Sequence, residues 1–285
     1  MTVTVVTDSA AALPPDLVAA HGIRVVPLWL HIGDERHRDG DLGVDELIRR
    51  FAEPISTAAP SPGEFAAAIA DARRSGPVLV LTVAARMSSS HDAAVLGAKL
   101  VADDDLDDDQ HGVVVLDTGT AAGAQALVVL AAARAATAGG DLATVVAAAE
   151  RVAARVRLVA TVADLQRLAR SGRVPEAARW IGDRFGVRPL FEFRDGRARP
   201  LRPAFSPVAA RDRIVQRCAA DAPSPPGRGR LHATVLHALD PDAAADLVAR
   251  LEPLHPASCL VGGFSPVMVA HTGRGLAGLA WWWET

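Results

Sequence analysis

The sequence predicts an α/β protein in which a parallel-sheet amino-terminal domain is followed by a second, mixed or antiparallel α/β domain. Two observations predict this fold class. Short apolar runs alternate with helical patterns as far as about residue 157, and each run ends in a polar turn, which is typical of a parallel sheet. Beyond that point, two apolar runs are joined by an Asp-Gly turn, which favours an antiparallel hairpin. We therefore predict domains at residues 1–157 and 158–285.

The length, composition and net charge of the chain limit the class of protein that it can be. The chain has 285 residues, half of them apolar, and a formal net charge of −3, so we expect a sizeable core and no nucleic-acid partner. Cys218 and Cys259 lack the spacing of a metal site or disulfide scaffold. No stretch has the basic and apolar pattern of a signal peptide or the length of a membrane helix. We therefore expect a cytoplasmic protein without a metal, a cofactor or an integral membrane segment.

Residues 78–102 are the stretch around which the first domain is organised. The run at 78–83 is rich in β-branched residues and predicts a strand buried on both faces, and the helical spacing after Asp92 predicts a helix. Ser88 and two further serines lie between them. A strand end that meets a helix amino terminus can hold a small anion. A serine that only caps the helix explains the same pattern, so this stretch alone leaves both interpretations open.

The other elements of the first domain follow in the same order. We predict strands at 3–6, 25–32 and 113–116, and helices at 14–20, 44–51, 64–74, 121–138 and 141–156. Ser61 is the expected N-cap of the third helix, with Pro62 in its first position. The charged segment 33–41 is expected to be a solvated hairpin or loop, and 56–63 a proline-rich turn. The six aspartates at 103–109 predict a loop or a fraying helix end, because the run lacks the glycine and closing glutamate of a calcium loop.

The second domain is predicted to mix hairpin and helix. We predict strands at 158–162, 187–193, 198–205, 231–239, 259–262, 267–270 and 276–283, and helices at 164–170, 175–184, 208–219 and 241–251. Residues 271–275 form a glycine-rich turn that lets backbone approach a ligand. The three tryptophans at 281–283 are expected in the core, since alternate residues of a final strand face inward.

Six short motifs occur together in one order and spacing. They are Val6-Thr7-Asp8-Ser9-Ala10 with Leu13-Pro14, the block at 57–63, Met87-Ser88-Ser89-Ser90, Leu116-Asp117-Thr118, Gly172-Arg173-Val174 and His271-Thr272-Gly273-Arg274-Gly275. Each motif alone is weak, but the six in register are specific, and over nearly the whole chain the sequence resembles the DegV family. The resemblance implies a non-catalytic protein that binds a long-chain fatty acid. It also implies that bacterial members can present the acyl group to a fatty acid kinase.

The resemblance assigns four residues to the ligand carboxylate. Thr57 and Ser88 correspond to the two hydroxyls that hydrogen-bond the carboxylate in the family. His271 and Arg173 match a histidine and an arginine that are implied to lie near the same head group. Hydroxyls together with cationic or N–H-donating groups suit a carboxylate, and the acyl chain is implied to occupy an apolar tunnel between the domains.

The sequence departs from the family near these residues. Ala58 and Ala59 replace Ser-Gln, Ser89 and Ser90 replace Gly-Thr, and Arg274 replaces a proline. The arginine that is implied to dock the kinase has no counterpart near Phe205 unless Arg202 substitutes for it. The altered turns also suit a carrier or sensor of another small anion.

One enzymatic alternative stays open. Ser88 as nucleophile, His271 as base and Asp8 or Asp117 as orienting carboxylate would make a serine-dependent acyl hydrolase. The turn lacks the Gly-x-Ser-x-Gly pattern that exposes such a nucleophile, and the chain carries no Walker loop or dinucleotide fingerprint.

Overall fold

The computed structural model describes residues 2–104, 112–163, 165–174, 188–224 and 228–285. The chain forms two compact units, Met1–Ala154 with Ser265–Val267, and Arg155–Phe264 with Met268–Thr285. The predicted helix at 175–184 and most of the aspartate run at 103–109 lie outside the described residues. Among the helices that the structure describes, none combines the length and apolar character that a membrane crossing requires.

The first unit is built on a four-stranded parallel sheet. Its elements are β1 (Thr4–Asp8), α1 (Pro15–Ala20), β2 (Arg24–Val26), β3 (Trp29–Ile32), β4 (Glu35–Arg38), α2 (Val44–Arg49), β5 (Ile55–Ala58), α3 (Pro62–Arg73), β6 (Val78–Thr82), α4 (Ser90–Asp104), β7 (Val113–Asp117), α5 (Ala122–Thr137) and α6 (Leu142–Ala153), with a 3-10 turn at Ser9–Ala11. The parallel sheet has the order β2-β1-β6-β7, and a separate antiparallel sheet has the order β4-β3-β5. The predicted parallel sheet is confirmed.

A strand that is buried on both faces and a close contact between two helices position the serine turn in the first unit. All five residues of β6 are buried, as expected for a strand covered on both faces. Helices α3 and α4 pack closely where a β-carbon on Gly97 would lie 2.7 Å from the Pro62 carbonyl oxygen and 2.9 Å from the Ala66 nitrogen. Only glycine allows the two backbones to come this close, and the contact helps fix α4, whose amino end carries the serine turn.

The second unit contains a six-stranded mixed sheet. Its elements are β8 (Arg157–Thr161), α7 (Leu165–Arg170), β9 (Arg188–Arg194), β10 (Arg197–Ala204), α8 (Pro207–Ala220), β11 (Arg230–His237), α9 (Pro241–Leu251), β12 (Ser258–Gly263), α10 (Pro266–Thr272) and β13 (Ala277–Glu284), with a 3-10 turn at Glu252–Leu254. The strand order is β10-β9-β8-β13-β11-β12, and only the pair β11 and β12 is parallel within this described sheet. The hairpin with Asp195 and Gly196 in its turn is as predicted.

Trp281 and the thiol of Cys218 lie among aliphatic side chains in the core of the second unit. Trp281 is 1% exposed and its indole N–H donates to Asp221 Oδ2 over 3.0 Å. Trp282 is buried and stacks on His232, whereas Trp283 is half-buried and donates to the Cys218 carbonyl. The core position is therefore confirmed for Trp281 and Trp282. Burial raises the pKa of the Cys218 thiol far above its ordinary value.

Several predicted elements are wrong. The run at 25–32 forms two strands, β2 and β3. The predicted strand at 267–270 is part of helix α10, because Pro266 occupies the first helical turn and pre-sets its backbone. The predicted turn at 56–63 begins only after β5, which contains Thr57. The charged segment, by contrast, is the predicted exposed hairpin, in which β4 pairs antiparallel with β3. Ser61 as the N-cap of α3, with Pro62 in the first position, is confirmed, and Glu64 completes a capping box.

Candidate functional site

Ser88 lies in the turn between β6 and α4 and is partly exposed. Its hydroxyl oxygen accepts the Ser90 backbone N–H over 3.2 Å and lies 2.9 Å from the Ser90 hydroxyl oxygen. The first helical bond of this end runs from the Ala93 N–H to the Ser89 carbonyl, so Ser88 precedes the N-cap. The turn therefore holds the Ser88 hydroxyl at the amino end of a 15-residue helix, where the helix dipole favours an anion.

Asp8 lies behind this turn at the end of β1 and is fully buried. Its carboxyl accepts hydrogen bonds from Gln125 Nε2 over 2.9 Å, the Val83 N–H over 2.9 Å and the Ala10 N–H over 3.2 Å, and from the Ser90 hydroxyl. Burial raises the pKa of Asp8 to about 6, and these hydrogen bonds oppose the rise. Asp8 thus titrates close to neutral pH and contacts the serine turn through Ser90.

Asp117, the other carboxylate considered with the serine turn, has a structural role. Its Oδ1 accepts the Gly119 N–H over 2.8 Å and the Ala85 N–H over 3.2 Å. These bonds fix the turn after β7 to the turn after β6. The bond to Gly119, two residues further on, is of the short-range kind that typically stabilises loops.

Thr57 is held on a strand. It pairs with Leu30 in the antiparallel register of β3 and β5 and is half-buried. The chain then enters α3 through the capping box of Ser61, and Glu64 also accepts the Trp29 indole N–H over 3.2 Å. The strand pairing and this cap together fix the backbone on both sides of Thr57.

His271 and Arg173 belong to the second unit. His271 occupies the last turn of α10, so the predicted glycine-rich turn begins only at Gly273. Burial, and secondarily the positive charge of Arg173, lower the pKa of His271 to about 4. Arg173 follows α7, is exposed and donates from Nη1 to the Ser171 carbonyl over 2.7 Å. At neutral pH, His271 is therefore an uncharged ring that can donate one N–H, and Arg173 supplies the positive charge.

Asp39 was not among the predicted functional residues. Its carboxylate accepts the Ser9 hydroxyl over 2.7 Å, the Ser265 hydroxyl over 2.8 Å and the Val267 N–H over 3.2 Å. Burial raises the pKa of this carboxyl, against these hydrogen bonds. The surrounding charges at 33–41 indicate exposed surface, so the sequence gives no local signal that Asp39 accepts these three hydrogen bonds.

The structure groups the predicted residues by unit. The first unit contains Thr57 and Ser88, and it joins Ser88 to Asp8 through Ser90. The second unit contains both His271 and Arg173 and brings the guanidinium close enough to affect the imidazole. Within the part of the chain that the structure describes, no three histidine, cysteine, aspartate or glutamate residues are grouped so that they could hold a metal ion.

Comparison with known proteins gives the family. A family model described as an uncharacterised protein of the DegV family matches residues 2–284. The chain belongs to the DegV family. A DegV domain-containing protein of Streptomyces coelicolor is 34% identical over 287 aligned positions that cover 97% of each chain. A DegV domain-containing protein of Mycobacterium tuberculosis is 33% identical over 290 positions, which cover 98% of this chain and 96% of the relative.

The DegV fold is also found among solved structures. A DegV family protein from Thermus thermophilus, described by its fatty acid binding, superimposes with a TM-score of 0.90 and is 29% identical, with 99% of each chain covered. The predicted fold class, a DegV-like parallel α/β part with a mixed α/β part, is confirmed.

Proposed function

We propose that this DegV protein binds a long-chain fatty acid and that Ser88, Thr57, His271 and Arg173 bind its carboxylate. The observation that carries the proposal is the Ser88 turn, which holds a partly exposed hydroxyl at the amino end of α4. The similarity to the Thermus thermophilus protein over 99% of each chain supports the ligand class.

The chemistry of the four side chains fits one anionic group. Two hydroxyls, one neutral imidazole N–H and one guanidinium offer donors of the kind that ionised carboxylates accept. Because His271 is neutral at pH 7, the positive charge comes from Arg173 alone among these four. Burial of the acyl chain adds about 0.8 kcal/mol per methylene, which is enough for a bound lipid to survive purification.

Native mass spectrometry of the purified protein tests the proposal. We expect a bound mass that corresponds to an acyl chain, or uptake of added palmitate or oleate by protein from which lipid has been removed. Ser88→Ala should weaken binding by roughly 10- to 100-fold, since a hydrogen bond to a charged group contributes about 1.5–3 kcal/mol. Ser89→Ala is the matched control, because Ser89 is exposed in the same turn. The proposal would be refuted if purified wild-type protein carried no lipid and bound neither palmitate nor oleate when they were added.

We further propose that the protein presents its bound fatty acid to a separate kinase. Arg202 on β10 is exposed, and Phe205, just beyond this strand, is 71% exposed, so both are accessible for docking. With a fatty acid kinase of the same organism, we expect Arg202→Ala to lower the rate of acyl phosphate formation and to leave fatty acid affinity unchanged. An equal loss of both quantities would contradict a docking role.

A fluorophosphonate probe tests the hydrolase alternative. A carrier leaves Ser88 unlabelled, whereas a nucleophilic Ser88 would be modified. Labelled peptides must be mapped, because Ser258 also lies in a hydroxyl–imidazole–carboxylate series. Its hydroxyl oxygen is 2.8 Å from His232 Nδ1, and His232 Nε2 is 3.1 Å from Glu284 Oε2.

A further inference from the structure

A continuous chain of hydrogen bonds leads from a buried acid to the Ser88 hydroxyl. Asp8 is fully buried and accepts the hydroxyl of Ser90. Ser90 is also fully buried, and its hydroxyl oxygen lies 2.9 Å from that of Ser88. Ser88 is the partly exposed member of the chain. The protonation state of Asp8 can therefore affect the orientation of the Ser88 hydroxyl, which is assigned to the ligand carboxylate.

With Asp8 ionised, the Ser88 hydroxyl proton points inward. An ionised carboxylate can only accept, and each serine hydroxyl has one proton to donate. Ser90 then donates to Asp8, and the contact between the two serine oxygens requires Ser88 to donate to Ser90. Ser88 also accepts the Ser90 backbone N–H. In this state Ser88 presents lone pairs, rather than an O–H, to an incoming carboxylate.

With Asp8 protonated, the chain can reverse. The carboxyl O–H donates to Ser90, Ser90 donates to Ser88, and the Ser88 proton is released for an outward hydrogen bond. Only the Ser90 hydroxyl can exchange roles in this way, because the backbone N–H groups of Val83 and Ala10 always donate.

The Gln125 amide is held in its present orientation. Its Nε2 also donates to Thr7 Oγ1 over 3.2 Å, and the Thr7 hydroxyl donates to the Leu81 carbonyl over 2.8 Å. A rotated Gln125 would place its oxygen against a Thr7 oxygen whose proton is already used. Gln125 therefore remains a donor to Asp8, and the reversal is confined to the two serines.

We propose that Asp8 and Ser90 are positioning residues for the ligand carboxylate, and that fatty acid binding is coupled to the uptake of one proton by Asp8, which turns the Ser88 hydroxyl toward the anion. The proposal rests on the proposed function, because it takes the ligand and the role of Ser88 from it. The proton comes from solvent, and it is returned when the fatty acid leaves.

The surroundings of Asp8 make such uptake accessible. Burial raises the pKa of Asp8 to about 6, so the protonated form is already populated near neutral pH. Within the described chain, the contacts of Asp8 are hydrogen-bond donors and include no ion pair. The titratable or charged side chains on the elements nearest Asp8 include Arg24 on β2, Glu64, Asp71 and Arg73 on α3, His91 and Asp92 in the first turn of α4, Asp117 at the end of β7, and Arg134 toward the far end of α5. None of them is bonded to Asp8.

Calorimetry in buffers of different ionisation enthalpy measures the coupling. The ligands are palmitate and hexadecyl sulfonate, because a sulfonate stays ionised and any proton taken up with it belongs to the protein. At pH 7 we expect uptake of close to one proton per ligand, and an affinity that falls about tenfold from pH 7 to pH 8. His271→Asn is a control that should weaken binding and retain the uptake.

Ser90→Ala breaks the chain and leaves the Ser88 hydroxyl in place. We expect this variant to lose the proton uptake and the fall in affinity from pH 7 to pH 8. If its fold is perturbed, isotope-edited infrared spectroscopy of wild-type protein provides the second measurement, since binding should produce a carboxylic acid signal that Asp8→Asn lacks.

The outcomes separate the two proposals. Ligand binding by the wild type without proton uptake, or uptake that persists in Ser90→Ala, would overturn the hydrogen-bond coupling and leave fatty acid binding intact. Uptake that persists in Ser90→Ala would then reflect direct repulsion between the two anions. Failure of wild-type protein to bind either ligand would instead overturn the proposed function.

Discussion

At the scale of single residues, Asp8 makes the stability of the protein depend on pH. Its pKa is raised from 3.8 to about 6, so the folded state binds more protons than the unfolded state between these values. Its contribution to stability is complete below pH 4 and is lost as the pH rises through 6. A shift of this size corresponds to about 3 kcal/mol.

Urea unfolding of lipid-free wild type and Asp8→Asn tests this expectation. Relative to Asp8→Asn, the wild type should lose about 2–2.5 kcal/mol in free energy of unfolding between pH 4 and pH 7. Asp16→Asn, on the exposed surface of α1, should keep a constant difference. Parallel profiles for wild type and Asp8→Asn would contradict the assignment.

Asp39 supports the first unit through three hydrogen bonds. Asp39→Ala leaves the Ser9 and Ser265 hydroxyls and the Val267 N–H without this acceptor. We expect a loss of about 1–3 kcal/mol in the free energy of unfolding measured in urea. Asp45→Ala on the exposed side of α2 is the control and should stay within about 0.5 kcal/mol of wild type. Equal effects of the two changes would show that the Asp39 bonds contribute little.

At the scale of elements, the contact of α3 and α4 depends on one glycine. Gly97→Ala places a methyl group within 3 Å of backbone atoms of α3, so we expect a loss of about 1–3 kcal/mol in thermal or urea unfolding. Gly63→Ala is the matched control, since open space surrounds Gly63 in the first turn of α3. It should raise stability by up to about 1 kcal/mol. A stabilising Gly97→Ala would show that the helices can separate without cost.

Most elements could be predicted because their signals are local. Strand β6 follows from its β-branched run, and the start of α3 follows from Ser61 and Pro62. Helix α10 could not be told from a strand by its apolar residues alone, since a short apolar run fits either. Pro266, the first residue of α10, was the signal that would have decided correctly.

The candidate site could be predicted only in part. Resemblance to a family identified Thr57, Ser88, His271 and Arg173 as ligand candidates, whose roles remain predictions. Asp39 and the bond of Asp8 to Ser90 could not be found, because they join segments far apart in the chain. Asp39 and Ser265, for example, are separated by 226 positions, and no local pattern records such a contact.

At the scale of the whole molecule, ligand binding should raise the unfolding temperature. A ligand that binds only the folded protein stabilises it by about 2.7 kcal/mol at a concentration 100 times its dissociation constant. We expect oleate to raise the midpoint of thermal unfolding in a concentration-dependent manner. Oleyl alcohol, which lacks the carboxylate, should raise it less, and Ser88→Ala should narrow the gap between the two ligands. Equal shifts with both ligands in wild type would argue against a carboxylate site.

The buried thiol of Cys218 gives the second unit its own reporter. Both cysteines of the chain lie in Arg155–Phe264, and Cys218 is fully enclosed whereas Cys259 is half-buried. In a Cys259→Ser background, an aromatic disulfide reagent reaches a thiolate only after that unit opens. The rate of colour development therefore measures local opening of the second unit, and the first unit, which contains no cysteine, does not contribute to it.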